Sequence, residues 1–289
     1  MTVFVVGAMI VGTPQAGAVA DFSTYTFNTA RGLEEKQRQP NHHRDVILFL
    51  SNHVHHGRPW TLSTQESCRG HMALLALYLG ASGRPYFWNH GASRFLPHPD
   101  VPPSRDACRP HPHDDPHPDH PAHWGNYGNG ILSIGGHLES LWQVLQPSDQ
   151  VEFRNIVCVR MQNFGFQHWA CSTHITNPER RGPGVTRDQA INANAIRVWH
   201  EAVSNARPLV GGDYNINYGG ARTLPPGLAE WHGTDVEAIL PQHRPTAGTR
   251  MIDYQWADRP QMTQRSSPQC LSVPQLSDHR FCIGHFRVT

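Results

Sequence analysis

The run from Phe22 to Phe27, Phe-Ser-Thr-Tyr-Thr-Phe, alternates large with small side chains and is rich in β-formers. That pattern predicts a strand that delivers Asn28 at its end. The period then changes, because Ile47, Leu50 and Val54 fall on one stripe of a helix over residues 44–54. A strand near residues 60–65 and a second helix through Leu79 follow. Ser63-x-x-Glu66 has the form of a capping box, which by itself would explain an acid at position 66. Runs at 131–133, 155–160 and 168–173 predict further strands, the last two joined by a turn around Gly165. Thr186 and Gln189 make another capping box, and Ile191, Ala195, Val198, Trp199 and Ala202 recur at helical spacing through Asn205. Pro208-Leu209-Val210-Gly211 reads as a buried strand running into Gly212-Asp213. Strands in mixed order with helices packed outside predict a four-layer α/β sandwich, two mixed central β-sheets flanked by helices.

Two stretches break this pattern. Val3 to Gly12 is an apolar run too short to span a bilayer, followed by Ala18-Val19-Ala20, a small-x-small cleavage pattern before Asp21. Residues 1–20 therefore read as a secretory signal, against a competing reading as a buried first strand, and the product is expected to be secreted and soluble. Residues 81–124 are dense in Pro, His and Asp, as in His111-Pro112-His113-Asp114-Asp115-Pro116-His117. Proline removes backbone donors and fixes φ, so an insertion loop rather than regular structure is expected there. No linker halves the chain of 289 residues, and residues 21–289 are expected to form a single domain carrying that insertion.

Charge and cysteine narrow the choice of partner and compartment. Twenty-four Lys and Arg against 23 Asp and Glu leave a formal charge of +1, which offers no broad field for nucleic acid at neutral pH. The 21 histidines add positive charge in acid, so affinity for any polyanion should strengthen there. Six cysteines in a chain with an export signal predict disulfides, and no Cys-x-x-Cys suggests zinc. Cys68 with Cys108 and Cys270 with Cys282 are the expected pairs. Cys158 and Cys171 stand in neighbouring predicted strands, where either a cross-strand bridge or two buried thiols fits.

The candidate chemistry lies in an ordered series of short motifs. Thr26-Phe27-Asn28-Thr29, Thr64-Gln65-Glu66-Ser67, Gly128-Asn129-Gly130-Ile131-Leu132-Ser133 and Ser172-Thr173-His174-Ile175 come first. Gly212-Asp213-Tyr214-Asn215, Ile252-Asp253-Tyr254 and Ser277-Asp278-His279 complete it. Each is weak alone, since Asn, Asp and Gly are ordinary turn residues, but their order carries a signal. In that order the chain resembles the endonuclease/exonuclease/phosphatase superfamily, from about Phe22 to Val288. The resemblance implies the same sandwich and a metal-dependent phosphoryl-transfer site.

On that resemblance Glu66 is the first metal ligand, assisted by Asn28 and Asp278. Hard oxygen donors suit Mg²⁺, with Mn²⁺ or Ca²⁺ as alternatives. Asp213 orients or deprotonates the attacking water, and Asn215 donates to a phosphate oxygen. His279 serves as general base or as a stabiliser of phosphorane-like charge, with Asp253 holding its other ring nitrogen. His174 contacts the scissile phosphate and protonates the leaving group. Asn129 and Arg154 are substrate-binding candidates. Against these stand an Asn-Gly turn for Asn129 and a surface strand position for Arg154. The acid that orients His174 in related nucleases is not identifiable; Asp100, Asp106, Asp114, Asp115 and Asp119 are equal candidates.

The expected substrate is nucleic acid, DNA or RNA, cleaved outside the cell. A lipid phosphodiesterase or phosphatase acting on headgroups is the alternative, because Pro85-Tyr86-Phe87-Trp88 and Asn163-Phe164-Gly165-Phe166 each resemble a membrane-inserting or base-stacking tip. A third reading is a non-catalytic protein that sequesters transition metal with its His-rich loop.

Overall fold

In a computed structural model of the chain, the described residues are 20–29, 41–81, 83, 86–92, 94–95, 108, 127–145, 152–163, 166–175, 208–215, 236–239, 247, 253–258 and 262–288. The proposed signal, the predicted helix at 186–205 and most of the His-rich stretch lie outside them.

The first sheet is built from β1 (Asp21–Asn28), β2 (Thr61–Cys68), β3 (Tyr86–Ala92), β5 (Tyr127–Ile134), β12 (Met262–Ser272) and β13 (Arg280–Val288), in the order β12-β13-β1-β2-β5-β3. The second uses β4 (Arg94–Phe95), β6 (Gly136–Leu145), β7 (Glu152–Asn163), β8 (Phe166–His174), β9 (Pro208–Asp213), β10 (Val236–Ile239) and β11 (Asp253–Asp258). Its order is β10-β11-β9-β8-β7-β4, with β6 also paired to β7. Each sheet has a parallel pair at its centre, β1 with β2 and β8 with β9, flanked by antiparallel neighbours. Parallel neighbours need a crossover, and α1 (His42–Gly57) lies on the one between β1 and β2.

Along β1 the two faces diverge in character. Tyr25 and Phe27 point to the helix side, where they join Val46, Ile47, Leu50 and Val54 of α1 and Met72, Leu75 and Leu79 of α2 (Arg69–Gly80) in one apolar core. Thr24 and Thr26 point to the other sheet, where the packing is largely hydrogen-bonded. Thr24 donates to Gln255 Oε1, Ser63 to the Cys171 carbonyl at 2.8 Å, and Ser172 to the Thr64 carbonyl at 2.8 Å. Small polar side chains on both sheets thus approach closely with their hydroxyl donors spent across the interface. Apolar contact between the sheets resumes at Ile131, Val157, Val159, Met161 and Ala170.

The expected sandwich is the observed one. The three disulfides join Cys68 to Cys108, Cys158 to Cys171 and Cys270 to Cys282. The last two link directly opposed residues of β7–β8 and β12–β13, which settles Cys158 and Cys171 as a cross-strand bridge.

Two expectations change. Residues 86–92, placed by composition in an irregular insertion, form β3 along β5; proline ends at Pro85 and does not return until Pro97, so the intervening backbone can pair. The capping box at Ser63 and Glu66 does not exist. Both residues belong to β2, and α2 starts later, where the Cys68 amide donates to His71 Nδ1 at 3.4 Å.

Candidate active site

The topology brings one end of many strands to a single edge. β1, β2, β8 and β9 end there. Their antiparallel neighbours β5, β7, β11 and β13 begin there. This is why residues as far apart as Asn28 and His279 meet.

Glu66 is presented by a local irregularity. The pairing of β2 with β5 shifts register between Thr64 and Ser67, and Glu66 within that bulge has φ of 52°. A left-handed conformation costs a non-glycine residue about 1–2 kcal/mol and must be held by its surroundings. Thr29 holds it: its amide donates to the Gln65 carbonyl at 2.9 Å, and its hydroxyl lies 3.2 and 3.1 Å from the Gln65 and Glu66 carbonyls. Sequence alone singles out neither Thr29 nor Ser277. Ser277 Oγ donates to the Asn28 carbonyl at 2.7 Å and accepts from the His279 amide at 3.0 Å, tying the end of β1 to the turn that carries His279. The one sequence signal for either is its place inside a motif noticed for its neighbour.

Asp213 is the hub. Asn28 Nδ2 donates to Asp213 Oδ2 at 3.1 Å and lies 3.4 Å from Glu66 Oε1. The Asn215 amide donates to Asp213 Oδ1 at 2.8 Å from a residue whose φ is 51°, a conformation asparagine tolerates well. His174 Nε2 and His279 Nε2 lie 3.5 and 3.7 Å from Asp213 Oδ2. Gly212 makes this approach possible. A Cβ there would stand 2.3 Å from the Thr173 carbonyl oxygen, so only glycine lets β9 lie close enough to β8 to set Asp213 beside His174.

Asp253, the first residue of β11, takes His279 Nδ1 at 2.9 and 3.1 Å. Burial by itself pulls the His279 imidazole down, but the charges of Asp253 and Asp213, with the Asp253 hydrogen bond, outweigh it and raise the ring to about 10. Burial also pushes the Asp213 carboxyl up, to about 6, against the opposing pull of the charged His279. At neutral pH the ring is therefore cationic and Asp213 is ionised.

Arg154 is buried rather than on the surface. Its Nη1 lies 3.0 Å from His174 Nδ1 and 3.3 Å from Nε2. The guanidinium is thus in contact with both ring nitrogens of His174. The partners observed on His174 among the described residues include this guanidinium and the Asn215 amide at 3.0 Å, whereas the five candidate acids lie outside the described residues.

Two predicted site residues are placed differently. Asn129 is in β5, not a turn, and its amide is spent on the backbone and side-chain oxygens of Asn155, both at 3.0 Å. It therefore supports the strand beside Arg154. Asp278 is exposed and reaches the site through its charge on His279.

The donors fit a hard divalent cation at Glu66. Its Oε1 lies 3.4 Å from the Asn28 side-chain amide and 4.0 Å from His174 Nε2, and a carboxylate with an amide suits a hard ion. Asn28 presents nitrogen to both carboxylates, and a half-turn of its amide would bring Oδ1 to the same place. One atom each of Asp213, Asp253 and His279 also lie within 4.8 Å of one another. Asp253 is committed there to the His279 ring, and either this group or Glu66 with Asn28 could hold a divalent cation.

Fold and site together define a four-layer sandwich with a carboxylate- and imidazole-lined cleft at its strand ends. No protein-family model matches the chain, and no curated protein does. Solved structures do share its fold. The catalytic domain of human Nocturnin, with a bound sulfate anion, superposes with a TM-score of 0.63 at 14% identity, over 93% of this chain and 95% of that one. D. rerio TDP2 complexed with a single-strand DNA product gives 0.60 at 14% identity, over 92% and 99%. An endonuclease/exonuclease/phosphatase family protein from Leptotrichia buccalis gives 0.63 at 12% identity, over 93% and 99%.

Proposed function

We propose that this chain is a secreted, divalent-metal-dependent phosphodiesterase that hydrolyses DNA or RNA. The observation that carries the reading is the chain of contacts from Asp253 through His279 to Asp213 and on through Asn28 to Glu66, drawn from both sheets. A paired carboxylate and imidazole beside a second carboxylate supplies both proton acceptor and stabilising charge for water attack on phosphorus.

Asp213, ionised above about pH 6, accepts the proton of the attacking water. His279 keeps its proton at neutral pH, which supports the charge-stabilising role rather than the basic one. Asn215, Arg154 and His174 hold the phosphate oxygens, and His174 protonates the departing oxygen. Glu66 and Asn28 would hold Mg²⁺, Mn²⁺ or Ca²⁺, which when bound neutralises charge on the phosphate.

Nucleic acid is favoured over lipid on two grounds. Among relatives in fold, D. rerio TDP2 carries a DNA product. The aromatic segment at 86–88 is no exposed tip: Tyr86 donates to the Pro59 carbonyl at 3.1 Å, and Phe87 stacks on His137 at 3.6 Å between ring centroids. Phe166, in the other segment, packs against Trp60. The three disulfides support export.

The test is a substrate panel of plasmid DNA, RNA, bis-p-nitrophenyl phosphate, sphingomyelin vesicles and inositol phosphates, with Mg²⁺ or EDTA. Metal-dependent nicking of DNA or RNA is expected, with Asp213→Ala and His279→Ala each losing roughly 10²–10⁴-fold. Turnover of sphingomyelin without nucleic acid cleavage would replace the substrate, and wild-type rates in both variants would remove the site assignment.

A further inference from the structure

Beneath the junction of α1 and α2 lies a second cluster of ligating side chains that the hydrolytic site does not use. His43, in the first turn of α1, and His71, in the first turn of α2, place Nδ1 and Nε2 2.9 Å apart. Cys68, the residue that caps α2, has its sulfur in the same group, with one ligand atom from each of the three within 4.8 Å of the others. Cys108 is bonded to that sulfur at 2.07 Å. All four residues are buried.

We propose that Cys68, Cys108, His43 and His71 form a structural zinc site in the reduced protein, and that the Cys68–Cys108 disulfide is the oxidised, metal-free form of the same site. Two thiolates and two imidazoles are the donor set of tetrahedral structural zinc, and soft sulfur selects it over the hard ions suited to Glu66. Burial first, then the neighbouring His43, His42 and His90, hold His71 well below the usual imidazole range.

The exchange balances. A small dithiol reductant gives two electrons and two protons to the S–S bond and becomes a disulfide itself, leaving two protein thiols. Zn²⁺ then displaces both thiol protons. Ligation through His71 Nε2 moves that ring's proton to Nδ1 and replaces two contacts, the 2.9 Å hydrogen bond with His43 Nδ1 and the long 3.4 Å one from the Cys68 amide. Cys68 closes the strand that carries Glu66, so the same position is anchored in both redox states, by sulfur in one and by metal in the other.

The full chain, reduced anaerobically with a dithiol, is titrated with Co²⁺ in place of Zn²⁺. The expected result is one tetrahedral cobalt per chain with thiolate-to-metal charge-transfer absorption, displaced by Zn²⁺ and abolished by reoxidation. Cobalt at oxygen ligands gives no such charge transfer, so the reading is separate from the hydrolytic centre. Cys108→Ser should abolish the bands, and His71→Asn should weaken binding at least about tenfold. A thermal melt keeps the test sound if variants fold poorly: with Mg²⁺ saturating the hydrolytic centre, Zn²⁺ should raise Tm of the reduced wild-type chain more than that of the oxidised chain. Absence of thiolate bands in the reduced wild type, their persistence in Cys108→Ser, or a zinc-dependent rise in Tm no larger than that of the oxidised chain would each overturn the site.

Discussion

Replacing Asp253 by Asn removes the carboxylate that accepts from His279 Nδ1 at 2.9 Å while keeping shape and burial. In the wild type the ring is raised from 6.5 to about 10. At about 1.4 kcal/mol per tenfold, that is a preference of order 5 kcal/mol for the charged ring, spread over Asp253, Asp213 and Asp278 and net of burial. With Asp253 neutralised, burial remains as the largest influence and lowers the ring, so it should lose its proton near or below neutral pH. A group whose folded value is raised stabilises the fold fully below its unfolded value and loses that contribution as pH rises through the folded one. Wild-type stability should therefore decline between about pH 6.5 and 10, and the variant should lack that decline. Two assays follow the effect without relying on a substrate: an NMR titration of the His279 ring, and urea midpoints measured from pH 6 to 10. With bis-p-nitrophenyl phosphate the variant should lose roughly 10²–10⁴-fold in kcat at pH 8. A His279 titration that stays near 10 in Asp253→Asn would refute the electrostatic account of this site.

Other consequences are equally direct. Glu66→Gln keeps the bulge but removes the charge, and calorimetry should show Mn²⁺ affinity falling by at least roughly 10–100-fold. Gly212→Ala forces a Cβ against the Thr173 carbonyl, so a stability loss of about 1–3 kcal/mol should accompany a loss of activity; an active, equally stable variant would contradict the close approach of β8 and β9. Phe27→Ala empties a fully buried position between β1 and the helices, and chemical denaturation should register about 3–5 kcal/mol. The wild-type rate should also fall in acid as Asp213 takes up a proton near pH 6, which a pH–rate profile will show.

Several elements are visible in the sequence through their period or their composition. α1 shows its stripe of Ile47, Leu50 and Val54, and β1, β2, β7 and β8 carry β-branched and aromatic residues in short runs. β6 leaves no such trace. Most of its side chains are exposed, and backbone pairing with β7 is what makes it a strand. β12, at a sheet edge, is polar, contains Pro268 and shifts register twice, so its pattern never repeats. Glu66 is legible through its motif while its local structure is not, because a bulge depends on the partner strand and on Thr29, which no spacing within residues 63–66 reveals.

The order of residues along the chain determined which chemical groups exist and, through periodicity, which segments become helix or strand. Only the tertiary structure decided that Arg154 lies against His174, that Asn129 is spent on Asn155, and that His279 rather than Asp213 keeps its proton at neutral pH. The physical reason is range. Periodicity is a local property of backbone and burial, whereas protonation and ligand geometry depend on charges separated by tens to hundreds of residues in sequence and a few ångströms in space.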